Sequence, residues 1–446
     1  MRFPKVLIFG QPFNRNTGGG ITLSNLFQGW DKDCIAVIGT GHMLRNLNTE
    51  ICDCYYQIGS DENKWVFPLN QFQKKFTSGV INIDKNYLKT QTVQQGPNIY
   101  QKPNFRQKLV DYLMYPLLKY FGIFHSLSSI QLTRKLCRWL EDYNPDILYV
   151  QVQARDEVLF VKKLHSFLKK PMVVHMMDDW PSYISSTGLF KHYWQKKIDR
   201  EFRILINQAD LLMSISDEMA KEYKSRYGKN FITFHNPVDI VFWKQSQRTN
   251  YNLEISPIVL YAGRMGVGIE SSLKLISEAI LKVNKELNIS IKFVLQTQEK
   301  LSWFDKYNCV KHDSFVEYND LPKRFSEADF LILPYDFLQK SIRYIKYSMP
   351  TKVSEYMVSG TPIIVFAPEE TAMVKYAQEF EWAKVITEND IDILSRGIKQ
   401  LVENKEAREQ IAQNAINIAE KNHNAIHVTN QFKSLIYSLV VDEYVD

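Results

Sequence analysis

Short apolar runs alternate along this chain with longer stretches whose apolar residues recur every three or four positions. Val6–Phe9, Cys34–Ile38, Ile147–Val152, Met172–His175, Leu211–Ile215 and Phe231–Phe234 are compact apolar runs of strand length. Glu157–Leu168 and Tyr193–Asn207 carry helical spacing between them. Apolar runs without alternation suit strands buried on both faces, and helices between them suit crossover connections. The pattern predicts a parallel, doubly wound α/β sheet.

The rhythm breaks at the turn cluster His235-Asn236-Pro237-Val238-Asp239 and the polar, strand-poor stretch Lys244–Ser256. A domain linker and hinge are expected there. Strands are then expected at Ile258–Tyr261, Ile291–Leu295, Phe330–Pro334 and Ile363–Phe366, and helices at Glu270–Leu287, Asp320–Glu327 and Lys352–Ser359. Helices Asp390–Glu403, Lys405–Lys421 and Ala425–Val441 close the chain. The pattern predicts two Rossmann-like domains facing each other across a cleft. Residues 1–238 form the first, 239–422 the second, and 423–446 a final helix. Ile58–Phe105 is polar, aromatic and poorly periodic, and reads as an insertion of loops and short strands, an acceptor-side lid.

A length of 446 residues agrees with two domains. The net charge of +6 fits an anionic substrate or a membrane surface, and no basic block or nucleic-acid module is present. Five scattered cysteines form no zinc pattern and suggest a reducing compartment. There is no signal-peptide profile and no run of eighteen apolar residues, so a cytoplasmic location is expected. Residues 106–139 interleave basic and aromatic side chains, which suits a membrane interface or a helix with a solvated face equally.

Four places carry candidate chemistry. Lys352 and Glu355 sit three residues apart on the first turn of a short helix that Gly360 stops. A cation, free N–H groups and a carboxylate suit a nucleoside diphosphate, and equally an ordinary ion pair. Gly18-Gly19-Gly20 leads into a helix and lets backbone approach an anion or a sugar, unless it is a flexible loop. Gly263-Arg264 follows a strand, where parallel sheets bind ligands, and a guanidinium there can fork onto phosphate oxygens or simply face solvent. His175 also ends a strand, with Asp178 and Asp179 close behind. These could serve a sugar and an acceptor hydroxyl, or be a satisfied buried histidine and a capping aspartate. His423 and His427 lack the intervening glutamate of a zinc motif and read as a surface pair.

Taken in order, Gly18–Gly20, His175 with Asp178–Trp180, Ser214–Asp217, Asn236–Asp239, Gly263-Arg264, and Lys352-x-x-Glu355-Tyr356 with Gly360-Thr361-Pro362 resemble the retaining glycosyltransferases of the GT-B fold, in the large group called family four. The resemblance spans essentially the whole chain and implies that the final helix, residues 423–446, crosses back to the first domain. It implies transfer of a sugar from a nucleoside diphosphate sugar, a co-substrate rather than a cofactor, to a glycan or lipid-linked hydroxyl, without a metal. It implies surface-polysaccharide synthesis, with peripheral membrane contact expected from residues 106–139. The implied catalytic residues are His175, Asp178, Arg264 and Lys352. The implied donor-binding residues are Gly18, Gly19, Gly20, Gly263, Arg264, Tyr347, Thr351, Lys352 and Glu355. Two positions depart from the family: Tyr347 replaces a glutamate and Ile269 a lysine, whose charge must come from elsewhere, Lys352 being the nearest candidate and Lys346 the next. An epimerase of the same fold and a non-catalytic sugar- or membrane-binding protein are the alternatives.

Overall fold

A computed structural model describes residues 3–41, 43–67, 69–81, 83, 112, 114–184, 187–266 and 268–441. Most of the expected insertion beyond residue 83, and residues 106–111 and 113 of the basic-aromatic stretch, lie outside the described residues. The chain divides into two compact units. One contains residues 1–215, 220–234 and 429–446, and the other residues 216–219 and 235–428.

In the first unit the strands are β1 (Val6–Phe9), β2 (Ile35–Thr40), β3 (Tyr55–Ile58), β4 (Asn63–Trp65), β5 (Gly79–Ile81), β6 (Ser128–Ile130), β7 (Ile147–Val150), β8 (Met172–Met176), β9 (Leu211–Ser214) and β10 (Ile232–Thr233). Eight form one sheet in the order β10-β9-β8-β7-β1-β2-β3-β5. Its pairings are parallel except that β5 runs antiparallel to β3. β4 and β6 form a separate antiparallel pair. β1 and β7 are wholly buried, as continuous apolar runs covered on both faces should be.

The second unit contains β11 (Ile258–Ala262), β12 (Lys292–Gln296), β13 (Val310–Asp313), β14 (Phe330–Pro334), β15 (Ile363–Phe366) and β16 (Lys384–Ile386). They lie in the order β13-β12-β11-β14-β15-β16, all parallel. Helix Glu270–Leu287 buries Leu273, Ile276, Ile280 and Val283, the three- and four-residue spacing that predicted it.

The central strands and the edge strand β10 fall where the apolar runs place them, whereas the edge strands β5, β13 and β16 do not follow from such runs. β13 reads Val-Lys-His-Asp and is only partly buried. A strand paired along one edge can keep polar residues, so hydrophobic runs do not mark it. Helices Asp217–Tyr227 and Ala372–Phe380 were also missed.

The polar stretch expected as a linker is bound into the second unit. Gln247 Nε2 donates to Val358 O at 2.8 Å, and Arg248 pairs with Asp329 at 2.8 Å. Both members of that pair are nearly buried. The surface reading of His423 is corrected. It is 1% exposed, caps the helix Lys405–Asn422, and meets the Tyr376 hydroxyl through Nε2 at 3.0 Å. His427 is exposed, on the following helix Ala425–Val441.

Candidate active site

In the second unit, the turn after β11 is built around one lysine. Lys352 and Tyr356 lie one helical turn apart and present the same face to the end of that strand. Lys352 Nζ donates to the Ala262 carbonyl at 2.5 Å and lies 4.8 Å from the Tyr261 ring centroid. The Tyr356 hydroxyl accepts the Ala262 N–H at 3.0 Å. The Tyr261 hydroxyl donates to the Arg264 carbonyl at 2.6 Å. The two tyrosines and the lysine therefore fix the backbone from Ala262 to Arg264, with the Arg264 side chain exposed beyond it.

Burial sets the electrostatics. Desolvation lowers the Lys352 pKa to about 8, with Glu355 raising it and Arg264 lowering it. Desolvation raises Glu355 to about 7, against the pull of Lys352. Each charge is thus held in a seat that disfavours it, which a ligand of opposite charge or a set of hydroxyl donors would relieve. The helix Lys352–Val358 is stopped at Gly360, which takes φ +74°.

The segment entering that helix is held from behind. Ser216 Oγ donates to the Tyr347 carbonyl at 2.6 Å. Asn236 Nδ2 donates to the Thr351 carbonyl at 3.0 Å. Tyr347 also carries Lys346 Nζ 5.1 Å from its ring centroid. The structure thus gathers Gly263, Arg264, Tyr347, Thr351, Lys352 and Glu355 around one strand end and one short helix. Sequence reading missed Tyr261 and Tyr356 as the residues that shape it. Their hydroxyls bond backbone, which apolar periodicity does not report.

In the first unit, His175 lies in β8 and is 1% exposed. Its Nδ1 is 2.5 Å from the Tyr149 hydroxyl of neighbouring β7. Its Nε2 has no hydrogen-bond partner. Burial lowers its pKa to about 3, so the ring is neutral near pH 7. Gln151 follows β7 one step past the Val150–Val174 register, beside His175. It is 2% exposed and its amide faces the Tyr149 hydroxyl. The end of β8 therefore offers one unspent imidazole nitrogen, beside a buried amide. Gln151 was missed, and its place directly after a buried strand was the signal.

The paired aspartates separate. Asp179 is 3% exposed, accepts from the Tyr223 hydroxyl at 2.9 Å and pairs with Arg226 at 2.8 Å. Its side chain does not cap the following helix. Asp178 is only partly buried at the strand exit.

The three glycines form the first turn of helix Gly18–Leu26 rather than a loop before it. Thr17 caps that helix, accepting from Gly20 N at 3.1 Å. A Cβ on Gly20 would lie 2.4 Å from the Asn14 side chain, whose Oδ1 accepts from Thr17 N at 2.8 Å. One at Gly19 would lie 3.1 Å from Gln11. Packing of Gln11 and Asn14 is thus one reason for small residues there. Among the described residues no cluster of three His, Cys, Asp or Glu side chains is placed to hold a metal, and no helix is long and apolar enough to cross a membrane.

The chain matches two family models that adjoin in sequence. "Glycosyltransferase Family 4" covers residues 99–242, and "Glycosyl transferases group 1" covers residues 244–418. No curated protein sequence matches it. Among solved structures it is similar to Anabaena HepE in complex with UDP and glucose, with 13% identity, TM-score 0.58, and coverage of 97% of this chain and 100% of that one. It is similar to sucrose-phosphate synthase from Thermosynechococcus elongatus, with 11% identity, TM-score 0.58, and coverage of 98% and 100%. A further likeness is to the trehalose-6-phosphate protein of E. coli bound with UDP-2-fluoro glucose, with 12% identity, TM-score 0.56, and coverage of 98% and 99%. The two adjoining family matches together span most of the chain and the full-length likeness is one of fold, and the chain belongs to the family-four, group 1 glycosyltransferases, enzymes of the GT-B fold.

Proposed function

We propose that the protein transfers a sugar from a nucleoside diphosphate sugar to a hydroxyl of a glycan or lipid-linked acceptor, with retention at the anomeric carbon and without a metal. The observation that carries this reading is the Lys352 ammonium seated on the Ala262–Arg264 turn, with Glu355 three residues on. Glu355 accepts from ribose hydroxyls. Arg264 and Lys352 hold the diphosphate, with the Gly263 backbone beside them. Tyr347 and Thr351 border the donor from the segment that Ser216 and Asn236 brace. In the first unit, His175 Nε2 meets the transferred sugar, Gly18–Gly20 border it, and Asp178 orients the acceptor hydroxyl.

As the bond between the anomeric carbon and the diphosphate breaks, negative charge grows on the leaving oxygen. Fixed cations stabilise that charge without reorganising. The acceptor oxygen bonds to the anomeric carbon on the face that the diphosphate leaves, and its proton passes to a phosphate oxygen. Lys352 takes up the role of the lysine that Ile269 displaces. A setting at the cytoplasmic face of a membrane, in surface-polysaccharide synthesis, fits this chemistry.

The test is a thermal-shift series with UDP-, GDP-, ADP- and dTDP-sugars, since a ligand that binds only the native state raises the melting temperature. UDP-sugars come first because several structures of like fold hold UDP. At least one donor should stabilise the protein. Product formation that needs an acceptor distinguishes transfer from epimerisation of the donor alone.

A further inference from the structure

Close to half of the large apolar side chains exposed among the described residues fall in two short segments of the first unit, 112–124 and 189–193. Tyr112 is 81% exposed and Tyr120 54% in the first, and Leu189 is 57% and Tyr193 55% in the second. The segments lie side by side. Leu189 N donates to the Tyr120 carbonyl at 2.7 Å. Gly188, at φ +104°, allows that approach, because a Cβ there would lie 2.5 Å from the same carbonyl oxygen. Val66 N donates to Leu127 O at 2.9 Å, which brings exposed Phe67 to the end of the first segment.

The helix Tyr115–Tyr120 buries none of its side chains. A helix with an apolar sequence and no buried face is stabilised only if something else covers it. An exposed apolar surface of this breadth marks an interaction site.

Charge selects the occupant. Residues 112–134 and 187–198 contain no aspartate or glutamate. They carry Lys119, Arg134, Lys191, Lys196 and Lys197. Asp111 directly precedes the first segment. The carboxylates that follow the second are engaged: Asp199 with Arg203 at 2.7 Å and Glu201 with Arg155 at 2.6 Å. Aromatic and leucine side chains ringed by lysines match a lipid–water interface, where rings sit among headgroups and lysine stems reach outward. The absence of any acid on these segments matches a negatively charged surface.

We infer that these two segments together form a docking surface for an anionic lipid bilayer. The surface extends beyond the basic-aromatic sequence that suggested it. It takes in 189–197 and leaves out helix Arg134–Tyr143, whose Leu136 and Leu140 pack inward. The inference rests on the surface alone and not on the proposed sugar transfer, so its test contains no donor.

The full chain is sedimented with vesicles of phosphatidylcholine alone and of phosphatidylcholine mixed with phosphatidylglycerol, at low and physiological salt. It should bind the mixed vesicles, more weakly as salt rises. Tyr120→Ser with Leu189→Ser should weaken binding about tenfold or more, and Lys191→Glu with Lys196→Glu should remove the preference for phosphatidylglycerol. Melting temperatures equal to wild type show that these variants remain folded. Absence of vesicle binding would overturn the inference. So would binding indifferent to lipid charge, or a concentration-dependent dimer that Tyr120→Ser with Leu189→Ser abolishes.

Discussion

The Lys352 ammonium occupies the space that a side chain at Gly263 would need: a Cβ there would lie 2.0 Å from Nζ. The nearest obstructing atom is the end of a flexible chain, with the Tyr261 hydroxyl next at 2.9 Å, so the ammonium is the group that gives way first and does not keep its seat. Gly263→Ala should therefore act on Lys352. Turnover should fall about 10²-fold, the loss expected when one fixed electrostatic group is displaced. Lys352→Ala should give a similar loss, and the double variant little more than either alone. Steady-state kinetics of the three proteins check this, and additive losses would show that Gly263 acts independently.

Donor binding should follow pH through the Lys352–Glu355 pair. Glu355 must be a carboxylate to accept ribose hydroxyls, and burial holds its pKa at about 7, so affinity falls as pH drops below that value. Lys352 must be charged to hold phosphate, and burial brings its pKa down to about 8, so affinity falls as pH rises past it. The pH profile of kcat/KM for the donor should be bell-shaped with limbs near those values, belonging to the coupled pair. Glu355→Gln should remove the acid limb. His175→Gln should keep it, because His175 is neutral down to about pH 3.

Arg264 and Glu355 should separate in kinetics. Arg264→Ala removes a charge that matters most as the diphosphate leaves, so kcat should fall by about 2–4 kcal/mol of barrier. Glu355→Ala removes an interaction made equally by bound donor and transition state, so donor affinity should drop with a smaller change in kcat.

The Asp179–Arg226 pair should be structural. Arg226→Ala leaves a carboxylate that is 3% exposed without its cation. Breaking such a pair from one side should cost about 3 kcal/mol or more of stability. Urea unfolding measures the loss, and donor affinity of the folded protein should stay at the wild-type value.

The sheet centres were legible in the sequence because strands covered on both faces carry uninterrupted apolar runs, as Val6–Phe9 and Phe330–Pro334 do. The polar edge strand Val310–Asp313 escaped because pairing on one side imposes no such run. Lys352, Glu355 and Arg264 were visible from spacing and strand ends. Tyr261, Tyr356, Ser216 and Asn236 were not recognised as the residues that build their surroundings, because their work is hydrogen bonding to backbone distant in sequence. His423 was misread because a histidine between two helices looks exposed until Tyr376 covers it.

The most direct test is calorimetric titration of the wild-type protein and of Arg264→Ala and Glu355→Ala with the nucleoside diphosphate sugar that gives the largest thermal shift. Saturable binding to wild type, reduced at least about tenfold in each variant, is the result that places the diphosphate at Arg264 and the ribose at Glu355. Equal affinity in all three proteins would contradict it.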